Sequence, residues 1–192
     1  MKKSTLSTKR NKKIIFTSII ILFSIFFTMY KKSYNHELEN KIYNFMLSKN
    51  NRIKAYNQAV SLNNGDSSNT CVYFICEVLR LNNVKINNNI CNTTQILDIM
   101  KREGFKKERD YKKLKPGNIC FTTDESLNKN GIPTHTYIFM GWYKEGQYDY
   151  AYICDNQAKD YDNKIYHLRN IKKAMNKNGL IKEPFSFFLY RR

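Results

Sequence analysis

The stretch SSNTCVYFICEVLRL, residues 67–81, decides the fold. Its first four residues are helix-cap formers, and the run that follows is apolar nearly all round. A helix with no wet face has to lie in the middle of a domain. The spacing predicts that helix over about Thr70–Leu81, with Cys71 in its first turn. Before it, Leu38, Ile42, Phe45, Met46, Ile53, Tyr56 and Val60 recur at three- and four-residue steps across residues 33–63, with a break near Lys49–Asn51. After it, TTQILDIMKREG (residues 93–104) reads as a further helix starting at Thr93 or Thr94 and capped by Gly104. The pattern then changes to strands: Ile119–Thr122 after the turn Leu114-Lys115-Pro116-Gly117-Asn118, then Thr134–Tyr143, Gln147–Asp155, Lys164–Arg169 and Phe185–Tyr190. Helices first and strands later define an α+β domain, with a buried Cys-bearing helix packed on an antiparallel sheet.

Composition narrows the classes further. The chain has 192 residues, 42% hydrophobic and 14% aromatic, which is enough to bury a core and excludes wholesale disorder. Seven glycines and five cysteines exclude collagen and a disulfide miniprotein. Cys71, Cys76, Cys91, Cys120 and Cys154 are odd in number and contain no C-x-x-C pair, so most read as small buried apolar residues. No metal or cofactor is called for.

Formal charge is +17. Residues 1–13 form a basic tail with six cations and no acid, followed by the uncharged run Ile14–Tyr30 and then Lys31-Lys32. Seventeen helical residues extend about 26 Å, the scale of a bilayer core. The run has no small-residue cleavage site, so it is expected to be a transmembrane signal anchor. The more cationic flank then lies inside: a cytoplasmic tail, a single pass through the cell membrane at 14–30, and an extracellular domain at 33–192. That domain keeps a net charge of +9, which suits anionic wall polymers. Nucleic acid is not an expected partner for a domain outside the membrane.

Cys71 is the most informative residue. Helix N-termini carry partial positive charge and unpaired N–H groups, which favour a thiolate and can hold an oxyanion. A base is needed beside it. His36 lies just past the anchor and His167 ends a strand in IYHLRN, whereas His135 begins the aromatic strand THTYIFMGWY. If that strand pairs antiparallel with QYDYAYICD, then Asp155 or Asn156 falls beside His135 and can fix its tautomer. Side chains alternate along a strand, so only one of the two can face the imidazole.

The ordered series SSNTCVYFICEVLR, LKPGNICF, THTYIFMGW and YAYICDNQ resembles the NlpC-type and CHAP-type cell-wall cysteine peptidases and amidases, over residues 52–160. The resemblance implies a papain-like fold, Cys71 as nucleophile, His135 as general base, and Asp155 or, as the alternate, Asn156 as orienter. Gly117 corresponds to the turn glycine, and Gly141 ends the His strand. The chain departs from those families at Thr70-Cys71-Val72, where Asp-Cys-Ser/Gly is usual, at Asn118 in place of Asp, and at Thr136-Tyr137 after the His. The implied substrate is the peptidoglycan stem peptide, cleaved at an amide bond through an acyl-enzyme. The competing expectations are a non-catalytic wall-binding module on the same fold and a lipid-directed acyltransferase or thioesterase on a related one.

Overall fold

The structure, a computed structural model, describes the backbone of residues 4–191 and the side chains of residues 15–26 and 38–191. The side chains of the basic tail 1–13 and of His36 lie outside the described residues. Two compact units emerge, divided after Glu37.

In the first unit, helix α1 (Ser4–Leu47) begins, and its side chains from Ile15 to Phe26 are exposed. No helix among the described residues is long and apolar enough to cross a membrane. The transmembrane anchor expected at 14–30 is therefore corrected. So is the cell-membrane, single-pass location with a cytoplasmic amino terminus and an extracellular domain. The physical reason is length and polarity. Lysine pairs bracket a seventeen-residue run that contains Thr17, Ser18, Ser24 and Thr28. Its reach of about 26 Å is at the lower limit for a hydrocarbon core of about 30 Å.

The second unit, Leu38–Arg191, is the α+β domain. Ser48 breaks the first helical stretch: its backbone is extended and its side chain accepts from Asn51 N, starting α2 (Lys49–Leu62). The helix α3 (Cys71–Leu81) follows the cap cluster, and eight of its eleven residues are buried. Its one acid, Glu77, is held by Arg80 at 2.5 Å, which satisfies a charge that burial would otherwise penalise. The helix α4 (Thr93–Arg102) starts at Thr93, as its sequence predicts, with Asn92 as its N-cap. Asn92 and Gln95 form a reciprocal capping box there.

The strands are β1 (Lys106–Glu108), β2 (Ile119–Thr122), β3 (Thr136–Lys144), β4 (Gln147–Cys154), β5 (Tyr166–Asn170), β6 (Met175–Lys177), β7 (Leu180–Lys182) and β8 (Phe185–Tyr190). Six of them form one antiparallel sheet in the order β1-β8-β2-β3-β4-β5, and β6 pairs with β7 separately. Alternation along the central strands splits their side chains between two cores. Ile119, Phe121, Ile138, Cys154, Phe187 and Leu189 pack with the helices, whereas Cys120, Tyr137, Phe139, Ile153 and Phe188 pack on the opposite face.

The Leu114–Asn118 turn sets the start of β2. Asn118 Oδ1 accepts from Lys115 N at 2.7 Å, and Gly117 N donates to Phe139 O at 2.8 Å. Gly117 has φ +91°, and a Cβ there would lie 2.0 Å from the Glu39 carbonyl oxygen. Gly146, in the β3–β4 turn, has φ +77° and open space around it. Gly117→Ala is expected to destabilise the domain by about 3 kcal/mol, against about 1 kcal/mol for Gly146→Ala. Urea unfolding of the two variants beside wild type measures both; equal losses would mean that the Glu39 contact does not constrain the turn.

Candidate active site

The site forms at one end of the sheet, where β3 begins and β4 stops. His135 is the residue just before β3. Its backbone is clamped by Thr122 at the end of β2: Thr122 N donates to His135 O at 3.0 Å, and His135 N donates to Thr122 Oγ1 at 3.1 Å. The loop leading into it is tied to α4 by Thr93 Oγ1, which donates to Pro133 O at 2.8 Å. These bonds fix the ring's position before any side-chain contact is made.

β3 and β4 pair antiparallel with Ile138 opposite Cys154, which brings Asp155 next to the start of β3. His135 Nε2 donates to Asp155 Oδ2 at 2.8 Å, and both side chains are buried. Nε2 being engaged, Nδ1 is the nitrogen left to face Cys71, whose thiol interacts with the imidazole and helps to raise its pKa. Cys71, His135 and Asp155 are thus brought together.

Asn156 is not part of that line. Alternation turns it the other way, and its Nδ2 donates to Thr70 Oγ1 at 3.0 Å and to Ser67 O at 3.2 Å. It staples the cap loop to the end of β4. Thr70 Oγ1 also donates to Ser67 O at 2.8 Å, and Thr70 makes no side-chain cap on α3. The first N–H groups of α3, which have no intrahelical acceptor, are left uncapped by it beside the Cys71 sulfur.

Asp155 sits among charges. Its Oδ1 accepts from Gln157 N at 2.9 Å, His167 Nε2 stands 3.8 Å from Oδ1, and Arg169 Nη1 stands 4.0 Å from Oδ2. His167 and Arg169 lie two residues apart on β5, opposite Ile153 and Ala151, so they share the Asp155 face. Sequence reasoning placed no functional residue on β5. The signal available was the two-residue spacing of His167 and Arg169 in IYHLRN.

The titration behaviour follows from these contacts. Burial alone would lower the His135 pKa, but the hydrogen bonds to Asp155 and Cys71, with their charges, outweigh it and raise it to about 8. Burial alone would raise the Asp155 pKa, yet the His167 charge present at acid pH, the His135 hydrogen bond and charge, and the Arg169 charge hold it well below the usual carboxylate range. Desolvation pushes His167 down, so its imidazole is uncharged at neutral pH. Burial pushes the Cys76 thiol up to about 12 and raises Cys120 and Cys154 as well, which leaves them inert. Among the described residues, no group of three or more His, Cys, Asp or Glu side chains is placed to hold a metal ion.

No family model matches the chain, no curated protein matches its sequence and no solved structure matches its fold.

The raised His135 pKa means that the fold favours the imidazolium. That contribution to stability is complete below about pH 6.5, the ordinary His value, and is lost as pH rises through about 8. Asp155→Asn removes the main partner of the imidazolium. Its unfolding free energy is expected to change less between pH 6.5 and 8.5 than that of wild type. Urea titrations at the two pH values measure the difference, and parallel losses in both proteins would contradict the assigned linkage.

Proposed function

We propose that the chain is a cysteine hydrolase of amide bonds, working through an acyl-enzyme, with Cys71 as nucleophile, His135 as acid and base, and Asp155 as orienter. The observation that carries this reading is the line from a carboxylate through a buried imidazole to a thiol at a helix N-terminus. A nucleophile, a base and an orienting group within hydrogen-bond reach of one another are what covalent acyl transfer requires. The resemblance to NlpC-type and CHAP-type enzymes supports the same roles and makes the peptidoglycan stem peptide the substrate class. The basic surface suits retention among anionic polymers.

The steps follow from the geometry. The Cys71 thiol passes its proton to His135 Nδ1, and the sulfur attacks the amide carbonyl carbon, forming a C–S bond. The carbonyl oxygen takes the negative charge, and the uncapped N–H groups at the start of α3, that of Cys71 included, are the donors placed to stabilise it. The C–N bond then breaks, and the His135 imidazolium gives its proton to the departing amine. Neutral His135 next takes a proton from water, whose oxygen attacks the thioester. The C–S bond then breaks, the sulfur takes the proton back from His135, and the acid leaves with the thiol–imidazole pair restored. Asp155 keeps the proton on Nε2, so that Nδ1 is the nitrogen that exchanges protons with sulfur, amine and water.

The full chain and its Cys71→Ala variant, incubated with purified peptidoglycan, provide the test. Mass spectrometry is expected to find new fragments with wild type and at least about a 10³-fold lower yield with the variant. Equal release by both proteins would remove Cys71 as nucleophile. No release by wild type would remove stem peptides as the substrate.

A further inference from the structure

The structure assigns Arg169 as the positioning residue of the site: a buried, fixed countercharge that holds the Asp155 carboxylate and limits how strongly that carboxylate grips the His135 proton. This rests on the catalytic reading of Cys71, His135 and Asp155.

The guanidinium is 2% exposed, on β5. A cation that deep has to be paired or heavily hydrogen-bonded. One nitrogen is: Nη2 donates to Glu183 O at 2.7 Å. The Tyr137 ring lies against the group, 5.7 Å from its carbon to the ring centre. Nε and Nη1 have no hydrogen-bond partner, and the anion facing them is Asp155, with Nη1 4.0 Å from Oδ2. Arg169 therefore does not bond the carboxylate as a fork would. It stands one step back, and Oδ2 is left to accept from His135 at 2.8 Å. The carboxylate is shared between two cations, one permanent and one that titrates.

The other groups facing Asp155 do not replace that charge. His167 Nδ1 donates to Lys164 O at 3.0 Å, so its Nε2 carries no proton while the ring is neutral. That nitrogen stands unpartnered, 3.8 Å from Asp155 Oδ1. Tyr161 stacks on the His167 ring, the two centroids 3.6 Å apart. Tyr137, Tyr161 and Cys154 feel the Asp155 charge, and all three are shifted towards their neutral forms, while Cys71 meets His135 from the other side. At neutral and alkaline pH, Arg169 is thus the one permanent cation on this carboxylate among the described residues.

With Arg169 present, part of the Asp155 field is neutralised, and His135 releases its proton near pH 8. Without it, Asp155 remains ionised against His135 alone, and the imidazolium is held more tightly. That would make His135 a weaker proton donor to the leaving amine.

The test is an NMR titration of the His135 ring in the full chain, followed with the alkaline limb of kcat/KM. In Arg169→Met the His135 pKa is expected to rise by about one pH unit, the scale of one lost charge a few ångströms away. In Arg169→Lys, which keeps the charge, it is expected to stay within about 0.3 units of wild type. In His167→Gln it is also expected to stay close to wild type, because His167 is already neutral where His135 titrates. A residue that served only packing would lower the melting temperature in both Arg169 variants and move neither pKa. An unchanged or lowered His135 pKa in Arg169→Met overturns the assignment. The ring titration reads His135 whether or not the chain cleaves peptidoglycan. A shifted pKa without hydrolysis would sustain the role of Arg169 and overturn only the substrate.

Discussion

The Asp155 carboxylate has no solvent exposure, and the arrangement around it is the constraint on which the rest of the site depends. An ionised carboxylate cannot be buried alone: the cost runs to several kcal/mol even after relaxation. Here it is met by the His135 ring N–H, the Gln157 backbone N–H and the nearby Arg169 guanidinium. Each comes from a different segment, at the start of β3, after β4 and on β5. The sheet register that brings them together is therefore also what keeps the charge tolerable. A one-residue slip of β4 against β3 would exchange Asp155 for Asn156, whose Nδ2 now holds the cap loop.

The helix side of the site obeys a different logic. α3 is buried on almost every face, so the sulfur of Cys71 rides on a rigid element and not on a loop. A capping hydroxyl usually satisfies the first N–H groups of such a helix. Thr70 instead turns its hydroxyl to Ser67 O and accepts from Asn156, and it makes no cap. That gives up a modest amount of helix stability and leaves donors beside the thiol, an exchange that suits a site where negative charge develops during reaction.

Much of this was legible in the residues. Cap-formers followed by an all-round apolar run specify a buried helix with Cys71 at its start, because both signals are local. The antiparallel pairing of the two tyrosine-rich strands follows from the short Lys144–Gly146 gap between them. The choice between Asp155 and Asn156 was not legible, since alternation says that one faces His135 without saying which. The three-residue strands β1, β6 and β7 are too short to carry a period. The contribution of β5 was hidden because His167 and Arg169 are polar types that normally mark a wet face, and only the tertiary placement of Asp155 explains their burial. The anchor expected at 14–30 failed for a reason also present in the sequence: seventeen residues, five of them hydroxyl-bearing, lie between two lysine pairs.

The proposed chemistry requires Cys71 and His135 to act as one unit. Its most direct measurement is the rate at which iodoacetamide alkylates Cys71 at pH 6 in the native chain and in His135→Ala. Peptide mass spectrometry separates Cys71 from the exposed Cys91. Coupling of thiol to imidazole requires Cys71 to react at least about tenfold faster in the native chain, with Cys91 unchanged between the two proteins. Equal Cys71 rates in both would mean that the imidazole does not activate the sulfur, and the proposed chemistry would fail.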